Sequence, residues 1–84
     1  MIAYERTTLA NGLTVAVNRD RASKLAAVNI LYKVGARNEN PARTGFAHLF
    51  EHLMFRGTRE VPNFDLPVQM ASGDNNAFTN NDYT

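Results

Sequence analysis

Apolar residues follow three different rhythms along this chain, and each rhythm predicts a different element. Residues 4–9 alternate loosely between polar and apolar, and Leu13, Val15 and Val17 alternate strictly. Asn11-Gly12 lies between the two runs, and such a pair between alternating segments is the strongest short signal for a β-hairpin. Residues 19–24 are polar and read as a connection. Residues 25–34 then place Val28, Ile30, Leu31, Tyr32 and Val34 on both parities, which predicts a third, central strand covered on at least one face. Residues 35–43 contain Gly35, two Asn and Pro41 and have the composition of a loop.

The rhythm changes to a helical one at Phe46, Ala47, Leu49, Phe50, Leu53, Met54 and Phe55. Thr44 is placed to cap this helix, and Gly57, with Arg56 before it and Pro62 beyond, is placed to end it. Phe64, Val68, Met70 and Ala71 predict a short second helix starting near residue 64, in which Pro67 fits only within the first turn. Gly73-Asp74-Asn75 reads as a turn, after which residues 76–80 open a fourth strand. The order β-β-β-α-α-β predicts an α+β fold, with helices packed on one face of a mostly antiparallel sheet.

The motif helix leaves one polar stripe, made by His48, Glu51 and His52, which include both histidines of the chain. At about 100° per residue, positions four apart return to nearly the same face, so His48 and His52 can offer their imidazoles to a single ion. Glu51 stands beside that face without pointing along it. This is the H-x-x-E-H spacing, the inverse of the H-E-x-x-H zinc helix, with the glutamate as base toward water. Two histidines one turn apart are often a surface pair or a satisfied core pair. Here the apolar surroundings predict a buried helix, and a carboxylate buried between imidazoles without a partner costs several kcal/mol. A metal ion is one such partner and a hydrogen-bond network is another.

The chain's 84 residues amount to one small domain or a piece of a larger one. Nine Lys/Arg against eight Asp/Glu, dispersed along the chain, give a net charge of +1 and no electrostatic footprint for nucleic acid or an anionic membrane. There is no cysteine, so any metal ligands must be His or carboxylate. No stretch approaches the ~20 apolar residues of a membrane span, and the first residues lack the basic start and apolar run of a secretory signal. A soluble chain is expected, cytoplasmic or periplasmic if bacterial.

Four blocks together resemble the N-terminal part of the M16 zinc peptidases, the family of pitrilysin, insulin-degrading enzyme and mitochondrial processing peptidase. The blocks are Asn11-Gly12-Leu13, Gly35-Ala36-Arg37-Asn38-Glu39, the run from Gly45 through His48, Glu51 and His52 to Thr58, and Asn76-Ala77-Phe78-Thr79. The resemblance implies that His48 and His52 ligate Zn2+ and that Glu51 is the general base of a metalloendopeptidase working through zinc-activated water. It implies further that Asn76, Ala77 and Phe78 lie on an edge strand that holds the backbone of a peptide or unfolded polypeptide substrate. The family's third ligand is a glutamate about seventy to eighty positions after the second histidine, because a catalytic zinc takes three protein ligands and keeps an open position. Only 32 residues follow His52 (84 − 52), and Glu60, Asp65, Asp74 and Asp82 have no spacing that recommends one as a substitute. Residues 1–84 are therefore expected to be an incomplete, inactive part of a half-domain, completed by a second M16 half from the same chain or a partner subunit. Its apolar helix is expected to be short of cover and to drive self-association. The competing expectation is a non-catalytic peptide-binding or scaffold subunit of an M16-type assembly.

Overall fold

A computed structural model describes residues 2–84. Its elements are strands β1 (Glu5–Thr8) and β2 (Thr14–Val17), a 3-10 turn (Ala36–Asn38), and helices α1 (Phe46–Met54) and α2 (Asp65–Met70). This is a small α+β arrangement with one two-stranded antiparallel sheet and two helices.

The hairpin forms where alternation and turn chemistry agree. Glu5 pairs with Val17 and Thr8 with Thr14 in a single antiparallel register. The chain reverses through a turn in which the Gly12 amide donates to the Leu9 carbonyl at 2.9 Å, and the Leu9 amide then donates to the Leu13 carbonyl at 2.8 Å. Gly12 has φ +88°, a left-handed conformation that this turn requires and that glycine adopts without a Cβ clash. Asn11 steadies the reversal by accepting the Leu13 amide on its Oδ1 at 3.0 Å.

The expected third and fourth strands do not form ladders. Residues 25–34 are irregular and unpaired over most of their length, and Leu25 and Val28 are each 89% exposed. A strand is defined by its neighbour, and along this run only Tyr32 has one, exchanging both backbone hydrogen bonds with Thr84 at 2.8 and 2.9 Å. Residues 76–80 likewise lack a ladder. Nor do the helices lie on the hairpin sheet: among the described residues, α1 packs against the 3-10 turn and neither helix packs against β1 or β2. A two-stranded hairpin with exposed faces offers too little apolar area to hold a helix.

What does assemble is a small polar junction around α1. The 3-10 turn sits on the last residues of the chain, where the Ala36 amide donates to the Asn80 carbonyl at 3.0 Å and the Arg37 amide to the Asn81 carbonyl at 2.9 Å. Gly35 permits this approach, since a Cβ there would run into the backbone of Asn80 and Asn81. Arg37 also pairs with Asp82 at 3.1 Å, but both side chains are well exposed and the pair adds little.

Helix α1 starts differently from the sequence expectation. Its N-cap is Gly45, with φ +91° and no side-chain cap, in place of Thr44. The capping group is the Glu39 carboxylate, which accepts the Gly45 amide on Oε2 at 2.6 Å and the Ala47 amide on Oε1 at 2.8 Å. Two free amides at the positive end of the helix are thereby satisfied by a negative charge, an arrangement worth about 1 kcal/mol or somewhat more. At the other end the Phe55 and Arg56 amides tighten onto His52 and Leu53, and Gly57, at φ +87°, turns the chain away as expected. Helix α2 begins at Asp65, which places Pro67 in its first turn, where its missing amide costs nothing.

The expected burial of α1 holds for only two of its residues. Ala47 and Glu51 are buried, each 8% exposed, whereas Phe46, Leu49, Phe50, Leu53 and Met54 remain 46–61% exposed. The helix thus carries apolar surface on several sides at once.

Candidate metal centre

One turn of α1 brings the chemistry together. His48 and His52 are exposed and meet with their Nε2 atoms 2.9 Å apart and their ring centroids 4.6 Å apart. The α-helical repeat produces this directly, because residues i and i+4 stack on one face. At 2.9 Å one Nε2 donates a hydrogen and the other accepts it, so the ring edges that would ligate a metal already face each other. Two nitrogens bound to one tetrahedral zinc at about 2.0–2.1 Å stand about 3.3 Å apart, and small rotations of exposed rings cover that difference. The donor set suits zinc, being two imidazoles with no competing thiolate.

Glu51 completes the cluster. One ligand atom from each of His48, Glu51 and His52 falls within 4.8 Å of the others. Unlike the histidines, Glu51 is buried, and its Oε2 accepts a hydrogen bond from the Thr79 hydroxyl at 2.7 Å. Among the described residues Thr79 is the only hydrogen-bond partner of this carboxylate, which leaves Oε1 free. Glu51 borders an apolar recess lined also by Tyr32, Val34, Ala47, Phe50, Met54 and Thr84. A buried carboxylate needs a partner, and here a hydroxyl from the far end of the chain supplies one.

The other sequence-derived candidates are not among the clustered ligand residues. Asn76, Ala77 and Phe78 form an exposed segment leading into Thr79. The Ala77 amide is met by the Asn76 Oδ1 at 2.9 Å, and the backbone amides of Phe78 and Thr79 have no hydrogen-bond partner among the described residues. Phe78 packs edge-on against Tyr83, centroids 5.8 Å apart. The later carboxylates stay out of the cluster: Asp65 accepts from Asn75 at 3.1 Å, Asp82 faces Arg37, and neither Glu60 nor Asp74 comes near. Sequence reasoning missed Thr79 as a partner of Glu51 and Glu39 as the helix cap. For Thr79 the available signal was the predicted burial of a carboxylate, which demands a donor somewhere. For Glu39 it was a carboxylate in a loop just ahead of a helix without a capping side chain.

Residues 14–84 match the family described as Insulinase (Peptidase family M16), and the chain belongs to that family. It is 40% identical over 84 aligned residues to the zinc protease PqqE of Helicobacter pylori, which covers 96% of this chain and 19% of that protein. It is 38% identical over 81 residues to an uncharacterized zinc protease of Streptomyces coelicolor, covering 94% of this chain and 18% of the relative. It is also 36% identical over 80 residues to the mitochondrial-processing peptidase subunit beta of Blastocladiella emersonii, 93% of this chain and 17% of that subunit. The chain thus spans about a fifth of the length of the curated relatives it matches. No solved structure gives a significant match.

Proposed function

We propose that residues 1–84 are the N-terminal part of the catalytic domain of a zinc-dependent metalloendopeptidase, with His48 and His52 as metal ligands and Glu51 as general base. The observation that carries this reading is the contrast within one helical turn. Two exposed imidazoles face each other at 2.9 Å, and a buried carboxylate beside them accepts a hydrogen bond from Thr79. The relatives named as zinc proteases support the same chemistry. A third protein ligand would come from later in the protein, since the cluster supplies two of the three that a catalytic zinc takes. A scaffold subunit has no use for two converged imidazoles and a free carboxylate oxygen, which favours the catalytic reading over the non-catalytic one.

When bound, the zinc supplies Lewis acidity toward the scissile carbonyl and toward water. The chain's own residues do the rest. Glu51 takes a proton from the attacking water on its free Oε1 and returns it to the departing amine. The exposed backbone of residues 76–78 offers unpaired groups that an extended peptide can join whatever its side chains, so the substrate is a peptide or unfolded polypeptide. The apolar surface left open on α1 and along residues 25–34 supports packing against a second M16 half, from the same protein or a partner subunit, and self-association when that half is missing. Among the described residues no helix is long and apolar enough to cross a membrane.

The test is hydrolysis of an unstructured peptide by the full-length protein. Activity is expected to disappear with a zinc chelator and return with added zinc, while residues 1–84 alone stay inactive with or without zinc. Chelator-insensitive hydrolysis by the full-length protein would sink the reading. The substrate segment has its own test. Phe78→Pro removes an unpaired backbone donor and stiffens the segment, so the full-length variant is expected to lose about tenfold in kcat/KM while keeping its zinc. Unchanged kinetics in a folded variant would place substrate elsewhere.

A further inference from the structure

We infer that Thr79 is a positioning residue that fixes the carboxylate of Glu51 for proton transfer, an inference that rests on the reading of Glu51 as the base. The geometry is specific. Thr79 lies 28 residues after Glu51, is half-buried, and puts its Oγ1 2.7 Å from Oε2, a short contact with a charge-bearing acceptor. Because Oε2 is thus occupied, the oxygen left to face a water is Oε1.

Thr79 is itself held. Its Oγ1 stands 3.2 Å from the Thr84 Oγ1, and the Thr84 hydroxyl donates to the Val34 carbonyl at 2.9 Å. Thr84 is pinned in turn by its paired backbone bonds to Tyr32. Two hydroxyls in a row therefore link the base to a backbone carbonyl.

The proton inventory of that row explains its shape. Each hydroxyl has one proton to give, and the Val34 carbonyl can only accept, so Thr84 spends its proton there. Thr79 then gives its single proton to Glu51 while the carboxylate is ionised. A proton taken from water on Oε1 leaves this bond to Oε2 in place. A hydroxyl suits this position because it donates to Oε2; an apolar isostere would leave that oxygen without its partner.

The same residue immediately follows the 76–78 segment. Thr79 thus ties the base and the proposed substrate strand into one frame, so that a peptide seated on that strand arrives in register with the carboxylate.

The experiment compares Thr79→Val and Thr79→Ser in the full-length protein. Valine keeps the volume and loses the hydroxyl. It is expected to lower kcat about 10- to 100-fold with KM within twofold and zinc content unchanged, as for a small misplacement of a catalytic group. Serine keeps the hydroxyl and is expected to recover kcat to within about threefold of wild type. A kcat in Thr79→Val within twofold of wild type, or a serine variant no better than valine, overturns the proposal. Crystal structures of the two variants separate this from the reading of the function itself. The Glu51 carboxylate is expected to swing away in Thr79→Val and to stay in Thr79→Ser whatever the protein's activity, and a carboxylate that keeps its place in Thr79→Val also overturns it.

Discussion

Glu51→Gln in the full-length protein is expected to lower peptide hydrolysis by about 10²–10⁴-fold, the range for losing a general base. It is also expected to leave bound zinc in place. The two halves of this result come from different parts of the cluster. An amide has nearly the shape of the carboxylate and its oxygen can still accept from Thr79, so the buried packing of Glu51 survives. What the amide cannot do is take a proton from water. The imidazoles proposed to hold the metal are untouched, because the His48 and His52 Nε2 atoms face each other without involving the glutamate. Zinc-to-protein ratio and kcat measured on one preparation check this outcome. If zinc is lost together with activity, Glu51 is a ligand and the division of roles fails.

How much of this was legible in the sequence depended on distance along the chain. The helix around His48 and the convergence of the two imidazoles were readable because a helix repeats within four residues, and the sequence spacing is the spatial spacing. The hairpin was readable for the same reason, from Asn11-Gly12 and the alternation on either side. The cap on α1 was not. Thr44 stood in the local position for a capping residue, but the carboxylate that does the work comes from Glu39, six residues before Gly45. The partner of Glu51 was further away still: that a buried carboxylate needs a donor was readable, and that the donor is Thr79 was not. The third strand failed for a related reason. Residues 25–34 have strand composition, but a ladder needs a neighbour, and only Tyr32 has one, at Thr84. The exposed apolar residues of that run and of α1 show that composition predicts a need for cover without saying what provides it.

The second large effect concerns the histidines. Replacing either His48 or His52 with alanine removes one of two converged nitrogens, and the remaining imidazole cannot hold zinc in a fixed geometry. Changes outside the ligand set typically cost 10- to 100-fold in metal affinity, so loss of a ligand is expected to exceed about 100-fold and to abolish hydrolysis at ordinary zinc levels. Both side chains are exposed, so the fold should tolerate the change, and an unaltered circular dichroism spectrum is expected. Equilibrium zinc titration of wild type and the two variants reads the effect. An affinity within tenfold of wild type in both variants would remove the histidines from the site.

The central claim is that His48 and His52 hold a zinc ion which Glu51 attends without ligating. Anomalous diffraction above and below the zinc edge, on crystals of the full-length protein, tests it most directly. The account predicts one zinc peak at about 2.0–2.1 Å from the Nε2 of both histidines, with Glu51 still bonded to Thr79 and outside bonding distance of the metal. A peak bound by the Glu51 carboxylate, or no zinc between the two imidazoles, would contradict it.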